Sequence, residues 1–162
     1  MVHQLTWFKD IAGISMSIYK ELYDVFDKER NLKKASDAQL RQLQFEIESN
    51  IHYMASAFKQ RLPSDVIVAG VENCVFKQLM QQSYTINAKP LKSSTINGYK
   101  EFEKYLNWHA DKLIERAYLR LHLLKKLIAA GQHDQQLKLK SLFRFFMLVH
   151  YHLADKALPR RQ

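Results

Sequence analysis

The sequence predicts an all-α fold, a single-domain helical bundle of four long helices and one short helix. Apolar residues recur at steps of three and four in every long segment, the spacing that lines one face of a helix. Only 4 glycines and 3 prolines occur in 162 residues, whereas an all-β chain needs turn residues about every 8–12 positions. A chain of this length also buries a core without staples. The single cysteine, Cys74, excludes an internal disulfide and a cysteine-rich zinc site.

The first helix is read from Leu5, Phe8, Ala12, Ser15, Tyr19, Leu22 and Phe26, with a second stripe of Trp7, Ile11, Ile14, Ile18 and Val25 beside it. So broad an apolar face predicts burial on more than one side. The charged run from Asp27 to Lys34 ends it. Ser36 and Gln39 then form a capping box, in which the Ser36 hydroxyl accepts from the Gln39 amide and the Gln39 side chain reaches back. Leu40, Leu43, Ile47, Ile51, Met54 and Phe58 give the second helix one stripe, which stops before Pro63. Ser64 or Asp65 caps a short third helix that runs to Gln82, weakened by its β-branched start and by Gly70.

Residues from about 84 to 97 read as a linker, rich in turn-forming side chains and holding Pro90. The fourth helix spans about Gly98 to Ala130, with Phe102, Leu106, Ala110, Leu113, Ala117, Leu121, Leu124 and Ile128 as its seam. Glu101 and Glu103 suit the positive end of its dipole, and Gly131 is its natural left-handed stop. Asp134 caps the fifth helix, which ends before Pro159.

The linker also divides the charge. Residues 1–80 hold 10 Lys+Arg against 10 Asp+Glu, and residues 81–162 hold 15 against 6, so residues 81–162 carry the net +9, most of it in the basic half from 98 to 162. Such asymmetry points to nucleic acid or an acidic protein partner. The competing explanation is a solvated, lysine-rich surface. No signal-peptide pattern opens the chain, and no run of about 18 apolar residues is free of charge. The expectation is a cytoplasmic protein that does not span a membrane.

Within the fourth helix Lys100, Lys104, Trp108, Lys112, Arg116 and Arg120 stand four residues apart, and Lys125 and Lys126 follow. On one continuous helix each step rises about 6 Å and turns about 40°, which makes a slowly winding ladder. That rise is of the order of the phosphate spacing on an extended single strand, and Trp108 is placed to stack on a base. These eight residues are the expected nucleic-acid-binding set. Pairs such as Glu101 with Lys104 and Lys112 with Glu115 describe the alternative, a salt-bridged solvated face.

The fifth helix carries Arg144, five apolar residues, then His150. This spacing resembles the motif of HEPN-domain ribonucleases, small all-helical proteins that cleave RNA across a homodimer interface. The resemblance covers this motif alone and implies Arg144 and His150 as catalytic residues, with Phe145 standing where that family commonly has a polar residue. Six residues of straight helix leave the two about 120° apart with about 9 Å of rise, so they share a face only if the helix distorts or a second subunit contributes. His150 instead falls on the stripe of Phe143, Phe146, Leu153 and Ala157, the position of a neutral core histidine. Arg144 lines up with Tyr151 and Asp155. The remaining flank holds Phe145, Leu148 and His152, and an apolar helix of this kind is either central or shared. Those three residues are the expected oligomer interface.

No Glu-x-x-His pair or same-face histidine pair suggests a metal, and neither a glycine-rich phosphate loop nor a Gly-x-Ser-x-Gly elbow occurs. No cofactor is expected. The sequence therefore points first to a non-enzymatic, homo-oligomeric protein that binds nucleic acid or an acidic ribonucleoprotein partner. The alternatives are a HEPN-like ribonuclease acting at a dimer interface and a protein-interaction module of the adaptor or immunity type.

Overall fold

Among the described residues three long helices carry the structure: α1 (Asp37–Lys59), α5 (Ala110–Ala129) and α6 (Gln136–Leu153). Between α1 and α5 the chain forms α2 (Ser64–Gly70), α3 (Cys74–Gln81), the single turn α4 (Ser93–Ile96) and a 3-10 helix (Lys100–Tyr105). This computed structural model describes residues 33–34, 36–82, 84–86 and 89–160, all within the compact unit Lys33–Gln162. The predicted first helix, Leu5 to Phe26, lies outside the described residues. Among the described residues the architecture is helical, apart from a two-residue parallel pairing of Lys33–Lys34 with Tyr84–Thr85.

The second predicted helix forms as α1, and its capping box is present. The Gln39 amide donates to Ser36 Oγ at 3.2 Å, and the Ser36 amide donates to Gln39 Oε1 at 2.9 Å. Leu43, Ile47, Ile51 and Met54 are buried against α6, joined from α5 by Leu113, Ala117, Leu121 and Leu124 and from α6 by Leu139, Leu142 and Phe146. Removing each such aliphatic side chain from water contributes about 1.5–3 kcal/mol. Gly131 takes the expected left-handed turn after α5, with φ +90.

Two predicted helices are broken. The third splits into α2 and α3 because α1 captures the residues between them. The Glu72 amide donates to Asn50 Oδ1, and Asn50 Nδ2 donates to the Glu72 carbonyl, each at 2.8 Å. Next in line, the Val75 and Phe76 amides donate to the buried Glu46 carboxylate at 2.7 and 3.2 Å. Glu46 thus caps α3 from another helix, a role no residue beside α3 fills. At Gly70 a methyl group would lie 2.2 Å from the Tyr53 hydroxyl, so glycine lets the ring of α1 close on α2.

The fourth predicted helix is not continuous either. After the 3-10 helix, Asn107 turns left-handed at φ 67, and α5 starts only at Ala110. The linker takes the freed backbone groups: the Leu91 amide donates to the Trp108 carbonyl at 2.8 Å, and the Asn107 amide donates to the Leu91 carbonyl at 3.0 Å. Leu91 is buried at this junction, which anchors the pairing.

α6 corrects the expected interface. Phe145 and Leu148 are both 0% exposed within a single chain. The Phe145 ring lies 5.0 Å from the Tyr105 ring and 6.4 Å from that of Phe102, so the 3-10 helix covers Phe145. Beyond α6 the chain returns to the linker. The Leu158 amide donates to the Thr95 carbonyl, Asn97 Nδ2 to the Leu158 carbonyl and the Tyr99 hydroxyl to the Pro159 carbonyl.

Candidate functional site

Because the fourth predicted helix breaks, its basic ladder divides among three segments. Lys100 and Lys104 are exposed on the 3-10 helix, Lys112, Arg116 and Arg120 keep their four-residue spacing on α5, and Trp108 falls in the break. Trp108, half-buried, packs edge-on against Tyr105 with ring centroids 5.0 Å apart. Lys104 Nζ lies 5.2 Å from the centroid of the same Tyr105 ring. Arg120 Nη2 donates to the Tyr105 hydroxyl at 2.7 Å, and its guanidinium stacks 4.4 Å from the Phe145 centroid. Burial lowers the Arg120 pKa, opposed by Tyr105 and reinforced by Arg116. Arg120 is a packing cation, which leaves Lys112 exposed and Arg116 half-buried as the outward members of the row.

The far end of α5 brings cations together. The Phe76 ring stacks on Tyr118 with centroids 4.2 Å apart and 2° between their planes, which seats α3 beside α5. Lys77 follows Phe76, while His122 and Lys126 stand one and two turns beyond Tyr118. Lys125 Nζ donates to the Val71 carbonyl at 3.1 Å, across the α2–α3 connection. Burial lowers the Lys125 pKa and the Lys77 charge lowers it further, with Cys74 and Glu46 opposing. Burial likewise lowers the His122 pKa, followed by repulsion from Lys126, Lys77 and Lys125. Among the described residues none of these three lysines forms an ion pair, and His122 Nε2 is buried without a hydrogen-bond partner.

Lys125 and Lys126 belong to the expected set; Lys77 and His122 do not. Lys77 sits in the half of the chain with zero net charge, and only the aromatic stack of its neighbour carries it to α5. The local sequence holds no signal of that approach.

Earlier on α5, Glu115 is half-buried and its pKa is pushed up to about 7, by burial first and the Asp111 charge second, with Lys112 opposing. The expected Lys112–Glu115 ion pair does not form among the described residues.

Arg144 and His150 have separate partners. α6 runs unbroken through both, so they face different directions. Arg144 Nε pairs with Glu101 Oε1 at 3.2 Å, in place of the expected Tyr151 and Asp155. The His150 ring, half-buried rather than in the core, stands edge-on to Tyr151 at 5.6 Å. His152 lies 2.7 Å from the Lys89 carbonyl through Nε2. A carbonyl only accepts, so Nε2 carries a proton and Nδ1 of the neutral ring is an acceptor. Burial lowers the His152 pKa, opposed by the Lys89 carbonyl and Asp155, while Lys92 lowers it further. His152, Asp155, Thr95, Lys89 and Lys92 border a cavity of about 220 Å³. His152 thus ties α6 to the linker of its own chain.

Among the described residues no group of three or more His, Cys, Asp or Glu is placed to hold a metal ion, and no helix is long and apolar enough to cross a membrane. Comparison of the chain with protein-family models, with curated proteins and with solved structures gives no match.

Proposed function

We propose that the protein is a non-enzymatic nucleic-acid-binding protein that contacts phosphates through Lys77, Lys125 and Lys126, with Lys112, Arg116, Lys100 and Lys104 extending the basic surface. The observation that carries this reading is the convergence of three lysines and His122 with no ion-paired carboxylate among the described residues. Like charges gathered on neighbouring helices repel one another, and an anion relieves the repulsion. Each phosphate contact then adds affinity through released counter-ions.

The test is fluorescence anisotropy of a labelled single-stranded RNA and a DNA duplex at about 50 and 200 mM salt, the range over which several phosphate contacts change affinity by orders of magnitude. Changing Lys77, Lys125 and Lys126 together to Gln is expected to weaken binding and flatten the salt slope by about two to three units. A triple variant that binds like wild type at both salts overturns the reading and favours an acidic protein partner instead.

A further inference from the structure

We infer that Lys77, His122, Lys125 and Lys126 form a subsite for a phosphate monoester, the terminal phosphate of a strand, and that His122 takes up a proton as the anion seats. This rests on the nucleic-acid reading above and specifies what its central cluster holds. Charge is the first ground. A diester phosphate carries one negative charge, whereas a monoester carries about −1.5 to −2 at pH 7 and offers three acceptor oxygens. A site with three ammonium groups and, among the described residues, no ion-paired carboxylate matches the monoester better on both counts.

His122 is the second ground. Its Nε2 is buried without a partner, a condition that in a folded protein calls for a water, an ion or a function. The charged groups facing it are Lys126 and Lys125 from α5 and Lys77 from α3, and after burial, the larger cause, their charges lower the imidazole pKa. Beyond them Glu46 and Cys74 act on Lys125. An anion among the lysines cancels the repulsion that opposes a fourth positive charge. Protonation then makes both ring nitrogens donors, Nδ1 as well as the buried Nε2, and so doubles what the ring can offer an anion. Proton uptake and anion binding are therefore linked, each favouring the other.

The experiment compares a 5′-phosphorylated oligonucleotide with the same strand ending in a hydroxyl, from pH 8 to pH 6, with wild-type protein, His122→Gln, and the triple variant of Lys77, Lys125 and Lys126. The terminal phosphate is expected to raise wild-type affinity about tenfold at pH 7, the effect of added charge beside partly buried cations. That advantage grows as pH falls from 8, by at most about tenfold per pH unit for one proton, until the monoester's own protonation near pH 6 offsets it. His122→Gln loses that rise and retains only the decline set by the monoester's own protonation near pH 6, while keeping helicity. Equal binding of the two strands by wild type overturns the subsite, and an unchanged pH profile in His122→Gln overturns the proton uptake. Either result leaves the nucleic-acid reading standing if the triple variant still weakens both strands. Only a triple variant that matches wild type on both strands removes that reading as well.

Discussion

The Tyr118 hydroxyl on α5 donates to Glu46 Oε1 on α1 at 2.7 Å, joining residues 72 positions apart. Because Glu46 also receives the Val75 and Phe76 amides, one carboxylate fastens three helices. Beside this charge, and with burial as the larger cause, the Tyr118 pKa is raised well above its usual value, so the phenol stays protonated and keeps donating. Tyr118→Phe is expected to cost about 1.5–3 kcal/mol, the worth of a hydrogen bond to a charged group. Glu46→Ala strands three donors at once and should cost about 3 kcal/mol or more. Urea unfolding measures both, and equal costs for the two variants would contradict this division.

Phe145→Glu and Leu148→Glu each place a carboxylate where no water reaches. Loss of cooperative thermal unfolding is expected for each. A folded, soluble variant of either kind would show that the flank is a surface after all. The milder Phe145→Ala should cost about 3–5 kcal/mol.

At Gly70 an added methyl meets the end of the Tyr53 ring, whose hydroxyl donates to the Val66 carbonyl at 3.1 Å. Gly70→Ala should destabilise by about 1–3 kcal/mol through overpacking. The same change in a Tyr53→Ala background should cost much less, with a coupling of about 1 kcal/mol or more. Additive costs would locate the strain elsewhere.

Glu115 makes stability fall with rising pH. Its pKa is about 7 in the folded protein against 4.5 unperturbed, so the folded state holds the extra proton between those values. The group's contribution is complete below pH 4.5 and is lost as pH rises through 7. Glu115→Gln is expected to stabilise by roughly 2 kcal/mol at pH 8 and to change little at pH 4.5. Denaturant midpoints at the two pH values decide it.

Local signals in the sequence were legible where the structure keeps them local. The capping box of Ser36 and Gln39, the stripe from Leu43 to Met54 and the glycine stop at Gly131 are each set by residues within a few positions. The breaks at 71–73 and 106–109 are set from afar, by Asn50 and Glu46 in one case and by Leu91 in the other. One hint was present: Glu46 and Asn50 fall on the apolar stripe of α1, between Leu43, Ile47, Ile51 and Met54. Polar groups on a core face need buried partners. Of the candidate site, Lys125 and Lys126 were visible as part of a basic run. Lys77 and His122 acquire their meaning only from the stack of Phe76 on Tyr118.

Ile47→Ala or Leu113→Ala, each removing a fully buried aliphatic group, should cost about 2–5 kcal/mol in the same unfolding assay. A cost near zero would displace these residues from the core.

The packing of α6 on α1 also has a history in time. A ribosome adding about 5–20 residues per second completes α6 several seconds after α1. Until then α1 lacks the helix it packs against most, with the short helices α2 and α3 as interim cover. The unit therefore closes only once α6 has been made, and its rate carries the entropy of bringing distant segments together. Codon-dependent pauses between α1 and α6 would lengthen the exposure of that apolar stripe to chaperones and to other nascent chains.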